Sequence, residues 1–524
     1  MSRKQHLVIF LIALMICIAA AWWIRSSGYM DADYYYVMAS ELASGNGFNQ
    51  PFLWNYLDDP EGLPHPAFQY WMPLTSLVAA LSQRILGLNF RSAQIPFILL
   101  AACIPVLTTW IAFRLHGDRR MAIEAGLLAA LPGFFLPFWV TTDSFVIYGV
   151  IGAFVLLIMS EGVEKGGFIR WLIAGLLVGL AHLTRADGLL FLGLGIIAIL
   201  LSAKRKWLGF AGLFAGYILV MSPWWLINYQ MVGTPLSEGT SRVLWTLTYD
   251  ELFSYPASLL TFDRWIESGF VEILLTRLNA LWMNTRSLLL VNGLVILLPL
   301  MILGGYKYRD KPLIRLTGLY LIIVFLAMSL IFPFAGARGG YFHSSMAVMP
   351  VLWALAPIGL RQAVEFGVRV RGWDRSQAVG IFSVAVITIA ALVTLGIYIA
   401  RVFGSDFSSP VWLASDGVYK EATNRLRDLA PEPGIVAVNN PPGFYRISVM
   451  PAVVIPDGDP MVLWDVIKTF DVDWVLLDSN RPQGLQQLYD DPGTVNWLEV
   501  AGTLKDISGK PFYILRVIQH EGDP

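Results

Sequence analysis

The chain has 524 residues, of which 56% are hydrophobic and only 14% are charged, and its mean hydropathy is +0.59. A soluble protein carries about a quarter charged residues, so this composition excludes an ordinary soluble domain. The formal net charge of −1 gives no reason to expect a nucleic-acid partner. Several apolar runs reach the roughly 18–20 residues that cross a bilayer, so the sequence predicts a polytopic α-helical membrane protein.

The first apolar run, 7–24, follows a short basic start and ends at Trp22 and Trp23. Tryptophans are typical of the membrane interface, and no convincing small-residue cleavage site follows, so an uncleaved first span is expected. The two cysteines, Cys17 and Cys103, lie inside apolar runs. They are expected to be packing residues, without a disulfide or a cysteine metal site.

Eleven transmembrane helices are predicted, near 7–24, 94–113, 121–140, 144–160, 169–184, 188–203, 207–227, 287–305, 313–333, 344–361 and 378–402. A further apolar stretch, 67–88, could be a twelfth span or an interfacial helix. If it does not cross, eighteen Lys and Arg residues fall in the short segments on the N-terminal side of the membrane. The positive-inside rule therefore favours eleven spans in a plasma (inner) membrane, with a cytoplasmic N-terminus and an extracytoplasmic C-terminus.

Three larger parts are then expected outside: the first loop (25–93), a long loop (228–286) and the tail (403–524). The tail carries 9 basic and 17 acidic residues and has no run long enough to span. Strand-like pieces such as "GIVAVN", "VDWVLLD" and "PFYILRV" alternate in it with helical ones near 416–430 and 461–470. The pattern predicts two parts, a transmembrane module at 1–402 and a soluble α/β domain at 403–524.

The stretch "MDADYYYVMASELASGNGF" at 30–48 places acids and tyrosines where the chain leaves the first span. It predicts a short helix from Tyr34 to Ala43, with Asp31 near its N-cap. One interpretation is that Asp31 only caps the helix. The same outer surface is expected to hold further acids and a histidine, which favour a general base or a metal ligand instead: Asp33, Asp58, Asp59, Glu61, His65 and Asp143.

Five segments then occur in an order that resembles the GT-C superfamily of polyprenyl-phosphate-dependent glycosyltransferases: "DADYYYVMASELASGNGF", "LPHPAFQYWMPLTSLVAAL", "TTDSFVIYGV", "GLAHLTRADGLL" and "SPWWLINYQMVGTPL". The branch most similar is the family-39-like one, with protein O-mannosyltransferases and the aminoarabinose transferase of lipid A. The resemblance covers residues 1 to about 402. It implies a GT-C-like fold and a transfer reaction on the outer face.

The resemblance also implies site residues. The family's catalytic aspartate maps onto Asp31, followed by Tyr35 at an expected position, and a second acid maps onto Asp143. Where the family often has Glu, this chain has Ala32, and Asp33 could partly replace that acid. The family's His-Pro-Pro turn is His65-Pro66-Ala67 here, and the Arg of its Pro-Trp-x-x-Arg-Asn pattern is replaced by Ile227.

The chemistry needs few groups because a sugar on a lipid phosphate already has a good leaving group. A base must accept the proton of the acceptor hydroxyl, and positive charge must stabilise the departing phosphate. Asp31 is the expected base, and one in-line displacement would invert the anomeric centre. Candidates for the positive charge are Arg185, whose alternative role is a snorkelling anchor, and Arg338, which has His343 nearby. Asp31, Asp143 and His65 could instead share a divalent ion such as Mg²⁺, Mn²⁺ or Zn²⁺.

The expected function is therefore an inverting glycosyltransferase that uses a polyprenyl-phosphate-linked sugar and an acceptor hydroxyl on a glycan, lipid or protein, in contact with membrane lipids. Asp33, Tyr35, His65, Arg185, Arg338 and His343 are the expected substrate-binding residues. Three alternatives stay open: a multi-pass transporter, a non-catalytic assembly factor, and a polymerase or ligase of lipid-linked glycans. The Trp-Trp-Asp motif of oligosaccharyltransferases is not in the sequence, which argues against transfer to peptide Asn.

Overall fold

The structure is a computed structural model that describes residues 2–202, 204–237 and 239–518. Its first half contains ten α-helices within those ranges: α1 (Arg3–Trp23), α2 (Met30–Ser44), α3 (Leu74–Leu86), α4 (Phe90–His116), α5 (Arg119–Ala130), α6 (Phe135–Trp139), α7 (Phe145–Lys165), α8 (Phe168–Thr184), α9 (Leu190–Leu201) and α10 (Lys206–Val232). Short antiparallel strands β1 (Asn49–Gln50) and β3 (His65–Pro66) and the strand β2 (Phe52–Leu53) lie between α2 and α3.

The second half of the helical part continues with α11 (Gly239–Arg242), α12 (Phe262–Glu267), α13 (Phe270–Ser287), α14 (Leu297–Lys307), α15 (Pro312–Leu326), α16 (Pro333–Ala335), α17 (Tyr341–Ser345), α18 (Met349–Arg371) and α19 (Arg375–Val402). Three π-helical segments interrupt it, at Leu288–Asn292, Ala327–Ile331 and Gly336–Gly340. Such segments are rare and are frequent at functional sites.

Seven helical segments in the described residues are long and apolar enough to cross a membrane: Arg3–Trp23, Phe90–His116, Phe145–Lys165, Lys206–Val232, Pro312–Ile331, Pro333–Arg371 and Arg375–Val402. The pair Phe270–Asn292 and Leu297–Lys307, bent by 87°, would be an eighth. The predicted spans 169–184 and 188–203 correspond to the shorter apolar helices Phe168–Thr184 and Ala186–Leu201. The chain is a multi-pass membrane protein, as predicted, while the number eleven and the orientation stay predictions.

The predicted span 121–140 is not one continuous helix. Helix α5 ends at Ala130, and the short α6 begins only at Phe135. Pro132 and Gly133 lie between them, and Gly133 has a φ of +61°. Proline cannot donate the backbone hydrogen bond that continues a helix, so the chain turns here and delivers Asp143 to the loop before α7.

Small residues let the membrane helices pack backbone to backbone. A Cβ on Gly216 of α10 would lie 2.2 Å from the Leu172 carbonyl oxygen of α8, and a Cβ on Gly359 of α18 would lie 1.9 Å from the Leu300 carbonyl oxygen of α14. Close approach of this kind replaces the hydrophobic effect as the source of helix association in lipid. These contacts hold the framework from which the connecting loops project.

The tail is built as predicted, from helices that alternate with strands. Its helices are α20 (Ala414–Leu429), α21 (Pro441–Ser448), α22 (Pro460–Phe470) and α23 (Gln486–Asp490), and its strands are β4 (Ile435–Val438), β5 (Ala452–Val454), β6 (Val472–Leu477), β7 (Leu498–Lys505) and β8 (Pro511–Val517). Among the described residues the sheet has six strands in the order β2-β5-β4-β6-β8-β7. Strands β2, β5, β4 and β6 are parallel to one another, and β8 pairs antiparallel with both β6 and β7.

One edge strand of this sheet comes from the loop between α2 and α3. Phe52 and Leu53 of β2 pair with Ala452 and Val453 of β5. A short apolar pair such as Phe52–Leu53 carries no period from which a strand could be predicted. The tail and the first loop therefore form one packed unit, although the division at residue 402 itself stays a prediction.

Candidate active site

Asp31 is the second residue of α2 and not its cap. Tyr29 occupies the N-cap position, and in the described part of the chain no side chain caps this end of the helix. The helix begins at Met30, four residues before the predicted start, and ends at Ser44, followed by Gly45 in the left-handed conformation. Since capping is not its role, the carboxylate of Asp31 is available for other contacts.

Asp31, Asp143 and His343 converge from three distant segments. One potential ligand atom from each residue, a carboxylate oxygen or an imidazole nitrogen, lies within 4.8 Å of the other two. His343 Nε2 is 3.1 Å from Asp143 Oδ2 and 3.9 Å from Asp31 Oδ2. Asp31 comes from α2, Asp143 from the loop before α7, and His343 from α17, so the cluster exists only in the folded chain.

Asp143 and His343 are held firmly in place. The Tyr29 hydroxyl donates to Asp143 Oδ2, and the Ser144 hydroxyl donates to Asp143 Oδ1 at 3.0 Å. His343 Nδ1 lies 2.9 Å from the Gly339 carbonyl oxygen, and its ring stacks on Phe145 at 3.9 Å between centroids. Because a carbonyl oxygen only accepts, Nδ1 carries a proton and donates it there. Nε2 is the atom that faces the two carboxylates.

The two carboxylates differ in acidity. Burial raises the pKa of Asp31 to about 6, and the negative charge of Asp143 adds to this, while His343 and Arg185 act in the opposite direction. Burial also opposes ionisation of Asp143, but His343, the Tyr29 hydroxyl and the Ser144 amide together hold its pKa below the ordinary value. Neighbouring acids whose environments separate their pKa values in this way can take different chemical roles.

Arg185 supplies positive charge beside the cluster. Its Nε is 2.9 Å from Asp187 Oδ1, and its guanidinium lies 6.0 Å from the Tyr148 ring. Asp187 in turn accepts a hydrogen bond from Ser344, the neighbour of His343. The guanidinium charge acts on Asp31, as the pKa effect above indicates. Arg185 is thus oriented by a partner on its own turn and not left as a free membrane anchor.

Tyr35 is buried behind this site. Its ring lies 5.9 Å from Tyr34 and 6.1 Å from Trp71, and it is 2% exposed. Arg338 lies further out, with its guanidinium 4.3 Å from the Tyr249 ring. Burial and then the charge of Asp31 raise the pKa of Tyr249, which indicates that the Arg338–Tyr249 pair adjoins the site.

Two predicted site residues lie elsewhere. His65 was expected to share a metal with the aspartates, but the cluster contains His343 instead, and His65 Nε2 is 2.8 Å from Asp58 Oδ2. Asp33 was expected to contact substrate, but it is 3% exposed and its carboxylate accepts from Ser27, Asn440 and Arg446. His65 is paired with Asp58 and Asp33 is paired with Arg446, so neither side chain is free to join the cluster.

The sequence did not point to Tyr29 or Asp187 as site residues. Tyr29 was passed over because an isolated tyrosine near a membrane end is usually an interfacial residue. Asp187 had a usable signal, since it follows Arg185 by two residues in "TRAD" and an acid so close can orient the guanidinium.

Part of the chain matches a known protein family. Residues 64–227 match the family described as dolichyl-phosphate-mannose-protein mannosyltransferase. No sequence among the curated proteins matches the chain.

Solved structures share the fold at low sequence identity. ArnT from Cupriavidus metallidurans, bound to undecaprenyl phosphate, has a TM-score of 0.56 and 13% identity, with 100% of both chains covered. The archaeal oligosaccharyltransferase AglB from Archaeoglobus fulgidus, in complex with an inhibitory peptide and a dolichol-phosphate, has a TM-score of 0.55 and 14% identity, covering 97% of this chain and 74% of that one.

The arabinofuranosyltransferase AftD from Mycobacteria has a TM-score of 0.51 and 14% identity, covering 99% of this chain and 42% of that one. These relatives are GT-C glycosyltransferases. The resemblance is confirmed at the level of the fold: the chain has the polytopic GT-C fold with a C-terminal part that contains strands.

Proposed function

We propose that this protein is a glycosyltransferase that moves a sugar from a polyprenyl-phosphate donor to an acceptor hydroxyl on the outer face of the plasma (inner) membrane, with inversion. The observation that supports the proposal most is the convergence of Asp31, Asp143 and His343 beside Arg185, on a fold shared with glycosyltransferases. The ligands named for two of those relatives, undecaprenyl phosphate and dolichol-phosphate, are lipid phosphates of the proposed class.

Asp31 is the proposed general base. About a third of its side chain is exposed, so an acceptor can reach it, whereas the Asp143 side chain is fully buried. A carboxyl whose pKa is raised to about 6 is ionised at neutral pH and still accepts a proton better than an ordinary aspartate. Asp143 acts indirectly, by fixing His343 and by keeping a second negative charge close to Asp31.

The reaction is a single displacement. The acceptor oxygen forms a bond to the anomeric carbon, and the bond from that carbon to the phosphate oxygen breaks. The hydroxyl proton passes to Asp31, and the electron pair of the broken bond leaves with polyprenyl phosphate. Arg185 is placed to stabilise the charge on the leaving phosphate, and Arg338 would bind the same donor from the outer side.

The Asp31, Asp143 and His343 side chains also fit a divalent cation. They offer two carboxylates and an imidazole, which suit Mg²⁺, Mn²⁺ or Zn²⁺. The Nδ1 hydrogen bond to Gly339 leaves Nε2 directed at the carboxylates, and a metal-binding histidine usually donates its other nitrogen in this way. A bound cation would add positive charge for the phosphate. His343 takes the place that the sequence suggested for His65.

A donor panel tests the proposal. Membranes containing wild type or Asp31→Asn are incubated with radiolabelled polyprenyl-phosphate mannose, arabinofuranose or aminoarabinose. Acceptors are glycan, lipid and protein extracts of the cell envelope, with and without chelator. We expect transfer from one donor by wild type and its loss in Asp31→Asn, with binding of undecaprenyl phosphate kept. Wild-type transfer that Asp31→Asn retains would overturn the site assignment, and transport without transfer would overturn the enzyme class.

A further inference from the structure

The C-terminal unit, defined as residues 403–518, contacts the proposed catalytic helix α2 directly. Asn440 follows strand β4, and its Nδ2 donates to Asp33 Oδ2 at 3.0 Å. Arg446 in α21 donates from Nε to Asp33 Oδ1 at 2.8 Å. At the far end of α2, the Tyr445 hydroxyl donates to Glu41 at 3.2 Å. Both ends of the helix are therefore attached to the C-terminal unit.

The Arg446–Asp33 pair is buried and shared. The side chains of Arg446 and Asp33 are 12% and 4% exposed. The other face of the guanidinium donates to Asp416 in α20, from Nη1 at 3.2 Å. Arginine is suited to such a double contact because its donors have a fixed planar geometry, whereas lysine presents one compact charge. Loss of Arg446 would leave the Asp33 carboxylate buried without a positive charge beside it, which is strongly unfavourable, whereas loss of Asp33 would leave Arg446 with Asp416 alone.

This attachment lies where parallel sheets usually bind ligands. In open sheets with parallel strands, ligands occupy the crevice at the carboxyl ends of the strands, where the connections diverge. From β4 the chain crosses to β5 on one side, and β6 pairs with β4 on the other. Asn440 lies beyond the carboxyl end of β4, and it binds Asp33 of α2. The first turn of the catalytic helix thus occupies part of this edge.

The attachment acts on the position of Asp31. Asp33 is two residues from Asp31 and shares its helical turn, which lacks a side-chain cap among the described residues. Orientation of this turn consequently depends on what Asp33 binds. Ser27, from the segment that leads out of the first span, donates to the same carboxylate. The Asp33 side chain therefore links the membrane part, the catalytic turn and the C-terminal unit.

We infer that Arg446 is a positioning residue for the transfer reaction, and that the C-terminal unit fixes the orientation of the Asp31 carboxylate through the Arg446–Asp33 pair. The inference rests on the proposed function. It gives the C-terminal unit a part in the chemical step without contact to substrate. It also explains why Asp33 is an acid although it is turned away from the cluster.

The test is the single-turnover rate constant, measured on full-length protein with the donor that the panel identifies already bound. This constant does not depend on the fraction of molecules that are active, so a loss of folded protein alone leaves it unchanged. Arg446→Met and Asp33→Asn should each lower it by about 10- to 100-fold, as expected for misplacement of a reacting group. The double variant should be no slower than the slower single variant, because the two changes remove one interaction.

Matched variants distinguish positioning from general damage. Arg446→Lys should recover part of the rate, and Asp416→Asn should lower it by less than about 3-fold, because the Arg446–Asp33 pair that orients the catalytic turn is kept. Arg481→Met alters an arginine of the same unit that binds Ser479 and Gln486, and it should leave the constant unchanged. A wild-type single-turnover rate constant in Arg446→Met would overturn the inference. If Arg446→Met does not fold, wild-type rate constants in both Arg446→Lys and Asp33→Asn would overturn it.

A second measurement does not need activity. Amide hydrogen exchange over residues 30–38 should be faster in Arg446→Met and Arg446→Lys than in wild type and Arg481→Met. If the Arg446 variants show wild-type amide exchange over residues 30–38 and a wild-type turnover rate, the positioning role is refuted, even where Asp31→Asn is inactive. Faster exchange in a protein that transfers no sugar would support the attachment and refute the proposed function instead.

Discussion

Asp31 and Asp33 lie two residues apart in the first turn of α2, yet they have opposite surroundings. The Asp31 side chain is one third exposed and faces Asp143 and His343, whereas the Asp33 side chain is 4% exposed and binds Arg446 and Asn440. Residues at i and i+2 of a helix point to different sides. One turn can therefore present a reactive acid on one side and an anchoring acid on the other.

The difference separates reactivity from anchoring. An acid used in chemistry keeps an unsatisfied, accessible carboxylate, which costs stability, and an anchoring acid is fully hydrogen-bonded. Substitutions on the Asp31 side should change rate, cation dependence and pH dependence with little effect on unfolding. Substitutions on the Asp33 side should change stability as well as rate. The following four predictions test that separation.

Arg185→Met should lower the rate of sugar transfer by about 10²- to 10³-fold, because it removes the positive charge proposed to stabilise the leaving phosphate. Arg185→Lys should recover part of the loss, since the charge is kept but the contact with Asp187 is not. The check is steady-state transfer together with binding of undecaprenyl phosphate. A wild-type rate in Arg185→Met would assign the phosphate charge to Arg338 or to a cation.

His343→Gln should weaken Mn²⁺ binding by about 10- to 100-fold if the cluster holds a cation, because the imidazole is one of three candidate ligands. Isothermal titration with Mn²⁺ after chelator treatment measures this directly. His65→Gln is the control and should bind Mn²⁺ like wild type, since His65 is paired with Asp58. Equal affinity in wild type and His343→Gln would remove the cation from the proposed site.

The transfer rate should rise with pH through about 6 and level off above about 7, because the base must be deprotonated and burial raises the pKa of Asp31 to about 6. At pH 5 only about a tenth of such a group is ionised, so the rate should fall nearly tenfold for each pH unit below the midpoint. Saturating Mn²⁺ should move the midpoint to lower pH by competing with the proton. A rate that is flat from pH 5 to 7.5 would argue against Asp31 as the base.

Asp33→Asn should lower the unfolding temperature in detergent, since it leaves the Arg446 charge buried with one partner fewer. Asp31→Asn should leave that temperature unchanged or raise it, because an acid with a raised pKa is better accommodated without its charge. Thermal unfolding of both variants followed by tryptophan fluorescence gives the comparison. A larger destabilisation in Asp31→Asn than in Asp33→Asn would reverse the assigned roles.

Much of the architecture could be predicted because it depends on local patterns. Apolar runs gave the membrane helices, and alternation gave strands β4, β6 and β8 in the tail. The break of α5 at Pro132 was missed because hydropathy averages over a proline. The bend of 87° between Asn292 and Leu297 was missed because Leu294 and Val295, which have positive φ there, are apolar residues that raise the hydropathy of a continuous span.

Site residues that belong to a short local motif could be predicted from the sequence. Contacts between residues that are distant in the sequence could not. Asp31, Asp143 and Arg185 come from recognisable segments, and the structure brings them together. The partner of the aspartates is His343 and not His65, since only packing of α17 against α7 brings it there. Sequence spacing likewise could not show that Asp33 pairs with Arg446 in the tail, because that contact depends on how the C-terminal unit is placed on α2.

The most direct test of the account compares Asp31→Asn with Asp33→Asn in one single-turnover experiment, on enzyme with donor already bound and acceptor added. We predict that Asp31→Asn binds the donor like wild type but slows the chemical step by about 10²- to 10⁴-fold, the usual contribution of a general base, and that Asp33→Asn slows it less. A wild-type rate constant in Asp31→Asn would contradict the central claim that this carboxylate activates the acceptor.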